Sequence, residues 1–171
     1  MPALMQYAKA MAQNPSAELS YKIASTTALM WTTQMSNEML LQEFIEEVWN
    51  RKGFDKIEKY VHSEYTIYVD NTDPWEGKTL NHAEYKERLK FSFDSFPDMN
   101  FEITSAIEDG NNVAISWILT ETNLGKIEDY PPTNKSIKTK GMTIYHFKDG
   151  LIYGHTQVFD RITVMKQLGL M

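Results

Sequence analysis

The stretch that decides the fold is residues 137–159, with the sequence IKTKGMTIYHFKDGLIYGHTQVF. Two runs rich in β-branched and aromatic residues, 137–147 and 151–159, flank the dipeptide Asp149-Gly150. An Asp-Gly pair between two runs of this kind favours a tight hairpin turn. The stretch therefore predicts two long antiparallel strands that are neighbours in a sheet.

Upstream of this hairpin the sequence predicts three further strands. Residues 65–69 are β-branched and aromatic, and apolar residues alternate with others over 99–103 and 113–119. This alternation is typical of strands that are buried on at least one face. Asp109-Gly110-Asn111 predicts the turn between the last two of these strands.

Three helices are predicted before or among these strands. The first follows the cap residue Ser36 and has an apolar stripe at helical spacing that consists of Leu41, Phe44, Ile45, Val48 and Trp49. The second covers residues 55–61, and the third begins with a capping box at Asn81 and Glu84 and ends at Pro97. A short last helix is expected over residues 162–168.

Helices followed by a long run of strands predict an α+β domain. We expect a curved antiparallel sheet that wraps around the three N-terminal helices. A sheet of this kind can enclose an apolar pocket with a mouth at one end.

The composition is that of an ordinary globular protein. The 171 residues are 42% hydrophobic and 23% charged, and the absence of cysteine excludes disulfides and thiolate sites. The net charge of −6 disfavours a nucleic-acid partner. No run approaches the roughly 18–20 apolar residues of a membrane helix. We therefore expect a cytoplasmic protein without a membrane or nucleic-acid partner.

The composition changes near position 35. Before it, the only charged residues are Lys9, Glu18 and Lys22, and the helical apolar pattern is weak. We expect residues 1–35 to be an N-terminal extension of uncertain order and residues 36–171 to be the folded domain. Two interpretations of the extension stay open: an accessory segment or a start codon placed too early, and a helix that docks on the domain or on a second subunit.

Five motifs follow one another along the predicted domain. They are FIEEVWNR at residues 44–51, Phe96-Pro97-Asp98, Pro131-Pro132-Thr133, the hairpin at residues 149–152 with His155, and Gln167-Leu168-Gly169. In this order they resemble the SnoaL-like polyketide cyclases of the nuclear-transport-factor-two-like superfamily, which also contains ketosteroid isomerase. The resemblance covers residues 36–170 and implies a cone of three helices and a curved sheet around an apolar pocket.

The resemblance also implies a reaction. Family cyclases close a ring by intramolecular aldol condensation on a polyketide methyl ester, without cofactor or metal, with a carboxylate as general acid/base and a histidine that supports it. In an ungapped match the aspartate falls on Gln157 and the histidine on Thr143. Neither side chain transfers a proton by ordinary ionisation, but both can hydrogen-bond to a ligand carbonyl or hydroxyl.

His155 is a candidate for the acid/base role, because it shares a strand face with Gln157 and histidine titrates near neutral pH. A two-residue turn pairs it with Ile144, whereas a three-residue loop with a bulge pairs it with Thr143. The second register would group Thr143, His155 and Gln157. The alternative is a polar strand residue without a catalytic role.

Four acidic residues also have predicted positions or roles. Glu121 continues the inward alternation after Leu119 and is a second acid/base candidate, unless it is solvated at the start of a loop. Asp70 and Asp73 are expected on a loop at the rim of the pocket, as solvated residues. Asp160 is expected to cap the last helix.

Aromatic residues could line a pocket for a flat hydrophobic ligand, and the alternative is ordinary core packing. The candidates are Trp49, Tyr65, Tyr85, Phe96 and Trp117. The sequence contains no metal-binding or phosphate-loop motif, and we expect neither a metal nor another cofactor.

Three functions stay open. The first is a cyclase or related carbon-acid enzyme, and the second is an isomerase, dehydratase or hydrolase of the same superfamily. The third is a non-catalytic module in which Gln157 and Thr143 only orient a small hydrophobic ligand. We also expect a homodimer through the outer face of the sheet, where Lys138, Lys140 and His146 share one strand face.

Overall fold

The computed structural model describes residues 35–71, 73–127 and 129–171. Apart from Met35, the predicted N-terminal extension lies outside the described residues. None of the described helices has the length and the apolar character that crossing a bilayer requires.

Two helical segments precede the first strand, a third helix lies between the second and third strands, and a fourth follows the last strand. The helices are α1 (Asn37–Phe44), which continues as a π-helical turn (Ile45–Asn50), then a 3₁₀ turn (Phe54–Lys56) with α2 (Ile57–Tyr60), α3 (His82–Ser95) and α4 (Arg161–Leu168). Three side-chain caps fix their starts as predicted: Ser36 accepts from Met39 N, Asn81 and Glu84 form the capping box of α3, and Asp160 accepts from Thr163 N.

Six strands form one curved, unclosed sheet. They are β1 (Val61–Asp70), β2 (Thr79–Leu80), β3 (Asn100–Asp109), β4 (Asn112–Thr122), β5 (Ser136–Lys148) and β6 (Leu151–Phe159). Their order in the sheet is β2-β1-β6-β5-β4-β3. The α+β prediction is therefore confirmed.

The sheet is mixed and not wholly antiparallel, which corrects the prediction. β1 pairs in parallel with β6, whereas the other pairs are antiparallel. A parallel pair needs a long connection. Here the connection is nearly the whole domain, because the first and last long strands of the chain are neighbours. Because the two strands are parallel, the C-terminal end of β1 lies beside the C-terminal end of β6.

The hairpin has a two-residue turn, but its register differs from both alternatives. One extra residue, Tyr153, bulges out of β6 and shifts the pairing by one position beyond it. His155 therefore lies opposite Tyr145, so both predicted partners, Ile144 and Thr143, are wrong. A two-residue turn without a bulge would pair His155 with Ile144. The bulge at Tyr153, which no sequence motif predicted, changes the partner to Tyr145.

The core lies between the helices and the inner face of the sheet. The first helix places Leu41, Phe44 and Val48 there, each fully buried. Alternate residues of β4 and β5 face the same core, so the inner wall of the sheet is apolar over much of its length. Polar residues interrupt this wall at a few positions, and Thr143 on β5 is the one that takes part in the site described below.

Candidate functional site

Three polar residues form one row across three neighbouring strands. Asp70 at the end of β1 is the register partner of Gln157 on β6, and Gln157 is the partner of Thr143 on β5. The row continues into hydrogen bonds: Thr143 Oγ1 donates to Gln157 Oε1 at 2.8 Å, and Gln157 Nε2 donates to Asp70 Oδ2 at 3.2 Å. Trp117 Nε1 donates to Thr143 Oγ1 at 2.8 Å. A chain of hydrogen bonds therefore runs from an indole to the carboxylate.

A second series of hydrogen bonds reaches the same carboxylate through His155. The imidazole Nε2 lies 3.4 Å from Asp70 Oδ2, and Nδ1 lies 2.6 Å from the Tyr65 hydroxyl. A carboxylate can only accept, so the proton of the neutral ring belongs on Nε2, and Nδ1 accepts from Tyr65. The ring is 3% exposed and is held at both nitrogens.

Two arginines complete the surroundings of Asp70. Arg88 from α3 donates through Nη2 at 3.0 Å to Oδ2, and Arg161 from the start of α4 donates through Nη2 at 2.8 Å to Oδ1. Arg88 also pairs with Asp73 at 2.8 Å. Arg88 is almost fully buried, whereas the side chain of Arg161 is 35% exposed. Asp70 is therefore an anion in a cage of four donors.

The electrostatics of this cage set the charge states. Burial alone would raise the pKa of Asp70, but the hydrogen bond from His155 and the charges of Arg88 and Arg161 outweigh it and lower the pKa. Burial lowers the pKa of His155 below its ordinary value, against the pull of Asp70. At neutral pH the site thus holds an ionised Asp70 beside a neutral imidazole.

A pocket of about 270 Å³ opens next to this cage. It lies where β1 and β6 end and α4 begins, and its wall includes Asp70, Gln157, Phe159 and Arg161. His155 and Thr143 do not line it, but they contact the wall residues Asp70 and Gln157 by hydrogen bonds. A ligand in the pocket would therefore contact the carboxylate, the amide and the more exposed arginine directly.

The structure brings three of the four predicted catalytic-site residues together. His155, Gln157 and Thr143 share one network, although through a different register from the two considered. Glu121 does not join them. It is buried on β4 opposite Ile137, six positions along the strand from the residue that faces Thr143.

None of the five predicted aromatic residues lines this pocket. Four are buried in the core, and Phe96 is half-buried. Tyr65 and Trp117 nevertheless serve the site, because each donates a hydrogen bond to a residue of the network. Their contribution is to hold polar groups in place behind the pocket.

The expectation that Asp70 is solvated is wrong, since it is only 2% exposed. The reason is the parallel pairing of β1 with β6, which buries the end of β1. Sequence reasoning also missed Arg88 and Arg161. A usable signal for Arg88 was its spacing: it follows Tyr85 by three residues on the buried face of α3, where a charged residue needs an internal partner.

Comparisons with known proteins agree with this architecture. The sequence profile of the SnoaL-like polyketide cyclases matches residues 39–168. A candidate polyketide cyclase from Acidithiobacillus ferrooxidans is 37% identical, with a TM-score of 0.74, and the match covers 81% of this chain and 97% of that one. A comparison with functionally curated proteins found no match.

More distant structures share the fold alone. IdmH, a candidate polyketide cyclase from Streptomyces antibioticus, is 19% identical with a TM-score of 0.69, over 79% of this chain and 99% of that one. AclR, a candidate hydroxylase from Streptomyces galilaeus, is 21% identical with a TM-score of 0.66, over 79% and 82%. Proteins described with different reactions therefore share this architecture.

Proposed function

Because the chain belongs to the SnoaL-like polyketide cyclase family, we propose that it is a cofactor-independent enzyme that closes a ring in a small, hydrophobic molecule with several carbonyl groups. The family's acid/base pair is an aspartate and a histidine, and here both match positions are occupied by Gln157 and Thr143. In this proposal Asp70 supplies the carboxylate and His155 supplies the imidazole. Asp70 lies on β1, which neighbours the strand of Gln157, and His155 lies on β6, which neighbours the strand of Thr143.

The observation that supports this proposal is the contact between Asp70 and Gln157. The carboxylate lies 3.2 Å from the amide that occupies the family's aspartate position. It also belongs to the pocket wall and has a histidine at 3.4 Å. An aspartate, a histidine and a pocket thus occur together, as the aldol chemistry requires.

The proposed reaction consists of proton transfers and the formation of one carbon–carbon bond, with no change in the overall oxidation state. The Asp70 carboxylate takes a proton from a carbon next to a carbonyl group, and the enolate carbon attacks a second carbonyl of the same molecule to form the ring bond. The new alkoxide then takes up the proton. Arg161 and Gln157, which share the pocket wall, donate hydrogen bonds to the oxygen on which negative charge develops.

His155 acts in this scheme as a positioning residue. Its Nε2–H holds one carboxylate oxygen of Asp70, and Tyr65 fixes the ring from the other side. The neutral imidazole adds no positive charge, so it lowers the basicity of Asp70 less than an imidazolium would. Protonation of His155 should therefore weaken the base.

The test is turnover of a polyketide methyl ester that can cyclise by aldol condensation, followed by chromatography. We expect Asp70→Asn to reduce kcat by about 100-fold or more, because general-base catalysis contributes about that factor. Asp129→Asn, on an exposed loop, is the control. Full activity of a folded Asp70→Asn variant would refute the assignment.

The pH dependence separates the role of His155 from simple support of the fold. In the wild type kcat should fall as the pH drops through the lowered pKa of His155, which is below 6.5. His155→Gln keeps a donor toward Asp70 and should lose that inflection while it retains part of the activity. An unchanged pH profile in this variant would show that His155 does not act on the base.

A non-catalytic binding module is the second candidate. The observation that favours it is the cage of four donors around Asp70, since a carboxylate with a lowered pKa is a weak base. In that case ligands would bind at the pocket without turnover, and neither variant would alter any reaction rate.

A further inference from the structure

The ion pair between Arg88 and Asp73 has no part in the reaction proposed above. Arg88 Nε donates to Asp73 Oδ2 at 2.9 Å, and Nη2 lies 2.8 Å from the same oxygen. The side chain of Asp73 is 12% exposed, so the expectation that it is solvated at the rim of the pocket is wrong. Asp73 is a largely buried member of the charge network around Asp70.

Arg88 divides its donors unequally between two carboxylates. Only Nη2 reaches Asp70, at 3.0 Å from Oδ2, whereas both Nε and Nη2 contact Asp73. The side chain of Arg88 is 7% exposed, so solvent and salt screen these contacts little. The positive charge of Arg88 is therefore shared, and Asp73 takes the larger part.

The loop that joins β1 to β2 holds Asp73 in this place. Asp73 N donates to Asp70 O at 2.8 Å, and Asp73 Oδ1 accepts from Trp75 N at 2.8 Å. The Trp75 ring packs edge-on against Phe91 of α3, the helix that carries Arg88. Because the loop binds one carboxylate oxygen of Asp73, the other is directed at Arg88.

Four charged side chains meet here, and their charges cancel: Asp70 and Asp73 against Arg88 and Arg161. Without the charge of Asp73, the two arginines would place one unbalanced positive charge beside Asp70. A carboxylate next to excess positive charge is stabilised as the anion and is a weaker base. The charge of Asp73 therefore bears directly on the basicity of Asp70.

The other titratable groups at the site are neutral or bound elsewhere. Burial lowers the pKa of His155 and raises the pKa values of Tyr65 and Tyr145, so all three are neutral at neutral pH. Asp160 lies in the pocket wall, but both of its carboxylate oxygens accept from Thr163. None of these groups offsets the charge of Arg88.

We infer that Asp73 is a positioning residue for the proposed reaction, because its pairing with Arg88 keeps that guanidinium from holding Asp70 more strongly. Asp70 then stays bound and oriented by Arg88 and is still able to take a proton from the ligand. The inference rests on the proposed function for the identity of the base. It adds a residue that touches neither the pocket nor the ligand.

Asp73→Asn tests the inference, because the amide keeps an oxygen for Trp75 N and removes the charge. Turnover is measured with the same polyketide methyl ester. We expect kcat to fall about fivefold, since one neighbouring charge changes the proton affinity of a carboxylate about tenfold or more and the rate follows that affinity in part. Glu76→Gln, an equal charge change at an exposed position of the same loop, is the matched control and should keep the wild-type kcat.

A compensating change separates the charge of Asp73 from support of the fold. Arg88→Gln combined with Asp73→Asn removes one positive and one negative charge, so the net charge beside Asp70 returns to its wild-type value. The kcat of this double variant should recover to within about twofold of the wild type. If Asp73 only supported the fold, the loss of a second buried contact would lower kcat further.

His155 provides a measurement that needs no turnover. The charge of Asp73 raises the pKa of His155, and the charge of Arg88 lowers it. An NMR titration of the His155 ring, assigned with His155→Gln, should therefore show a lower midpoint in Asp73→Asn and the wild-type midpoint in the double variant. A loosened site would admit water and move the midpoint up toward the ordinary value of 6.5.

Thermal unfolding confirms that each variant is folded. Asp73→Ser also keeps an oxygen for Trp75 N and removes the charge, so it replaces Asp73→Asn if that variant does not fold. A wild-type kcat in the folded variant, a His155 midpoint that does not fall, or a double variant less active than the single one refutes the role of Asp73, and the proposed function stands. If a folded Asp70→Asn enzyme keeps full activity, the proposed function fails and the role of Asp73 in the reaction fails with it, whereas the shifts of the His155 midpoint still occur.

Discussion

At the scale of single residues, two carboxyl groups are buried in the described part of the chain, and their surroundings shift their pKa values in opposite directions. Asp70 has four donors around it and a lowered pKa. Glu121 has only burial and a neighbouring carboxylate, and its pKa rises to about 8. One group is an ionised base candidate and the other a neutral hydrogen-bonding group, because their surroundings differ.

The raised pKa of Glu121 makes a prediction about stability. The folded protein holds this proton up to about pH 8, whereas an unfolded chain releases it near 4.5. The contribution of this group to the free energy of unfolding is thus complete below pH 4.5, declines as the pH rises and is lost above about pH 8. The total decrease in the free energy of unfolding is at most about 5 kcal/mol.

We expect Glu121→Gln to avoid this loss. Urea unfolding of the wild type and the variant at pH 5 and pH 8 measures it, and the difference between the two proteins isolates the one group. The variant should gain relative to the wild type at pH 8. An equal response of both proteins to pH would contradict the burial of an unpaired carboxyl group.

At the scale of elements, α3 supplies Arg88 to the Asp70 site, so its first turn matters for function. Asn81→Ala removes the side-chain half of the capping box and should reduce the free energy of unfolding by about 1 kcal/mol. Asn81→Ser retains a capping oxygen and should cost much less. A loss of the same size in both variants would show that the cap is not the cause. Denaturant titration measures both.

The elements also show what sequence can predict. Helix caps and the hairpin turn depend on a few adjacent residues, and Ser36, Asn81 and Asp149-Gly150 all behave as predicted. The register of His155 depends on a bulge three residues beyond the turn, at Tyr153. Nothing in the local sequence specifies that extra residue, so the pairing of His155 could not be derived.

The candidate site was predictable only in part for a related reason. His155 and Gln157 are two residues apart on β6, where alternation already places them on one face, but their grouping with Thr143 on β5 depends on the bulge at Tyr153. Asp70, Arg88 and Arg161 come from three other elements. Their meeting requires the parallel pairing of β1 with β6, which is a property of the whole sheet and not of any segment.

At the scale of the whole molecule, the outer face of the sheet presents exposed apolar side chains beside its charged ones. Met142 and Val158 are register partners and are 59% and 56% exposed, and Ile144 follows on the same face. We propose that this outer patch, Met142, Ile144 and Val158, is the contact of a homodimer, because such a patch gains by being buried.

Light scattering tests this proposal. The wild type should have twice the mass of one chain, and Met142→Glu combined with Val158→Glu should give the monomer, since two charges would be buried without partners. Leu124→Glu, at an exposed position outside the patch, is the control and should remain dimeric. A monomeric wild type, or a dimer that survives the double change, would contradict the proposed interface.

The central claim is that the carboxylate of the family's reaction is supplied by Asp70 in place of residue 157. The most direct measurement is therefore the turnover of the double variant Asp70→Asn with Gln157→Asp, which moves the carboxylate across one register pair and leaves the charge unchanged. The account predicts that Asp70→Asn alone is inactive and that the double variant recovers a measurable part of the cyclisation rate. A folded Asp70→Asn enzyme that keeps the wild-type rate, or a folded double variant that is as inactive as Asp70→Asn alone, would contradict it.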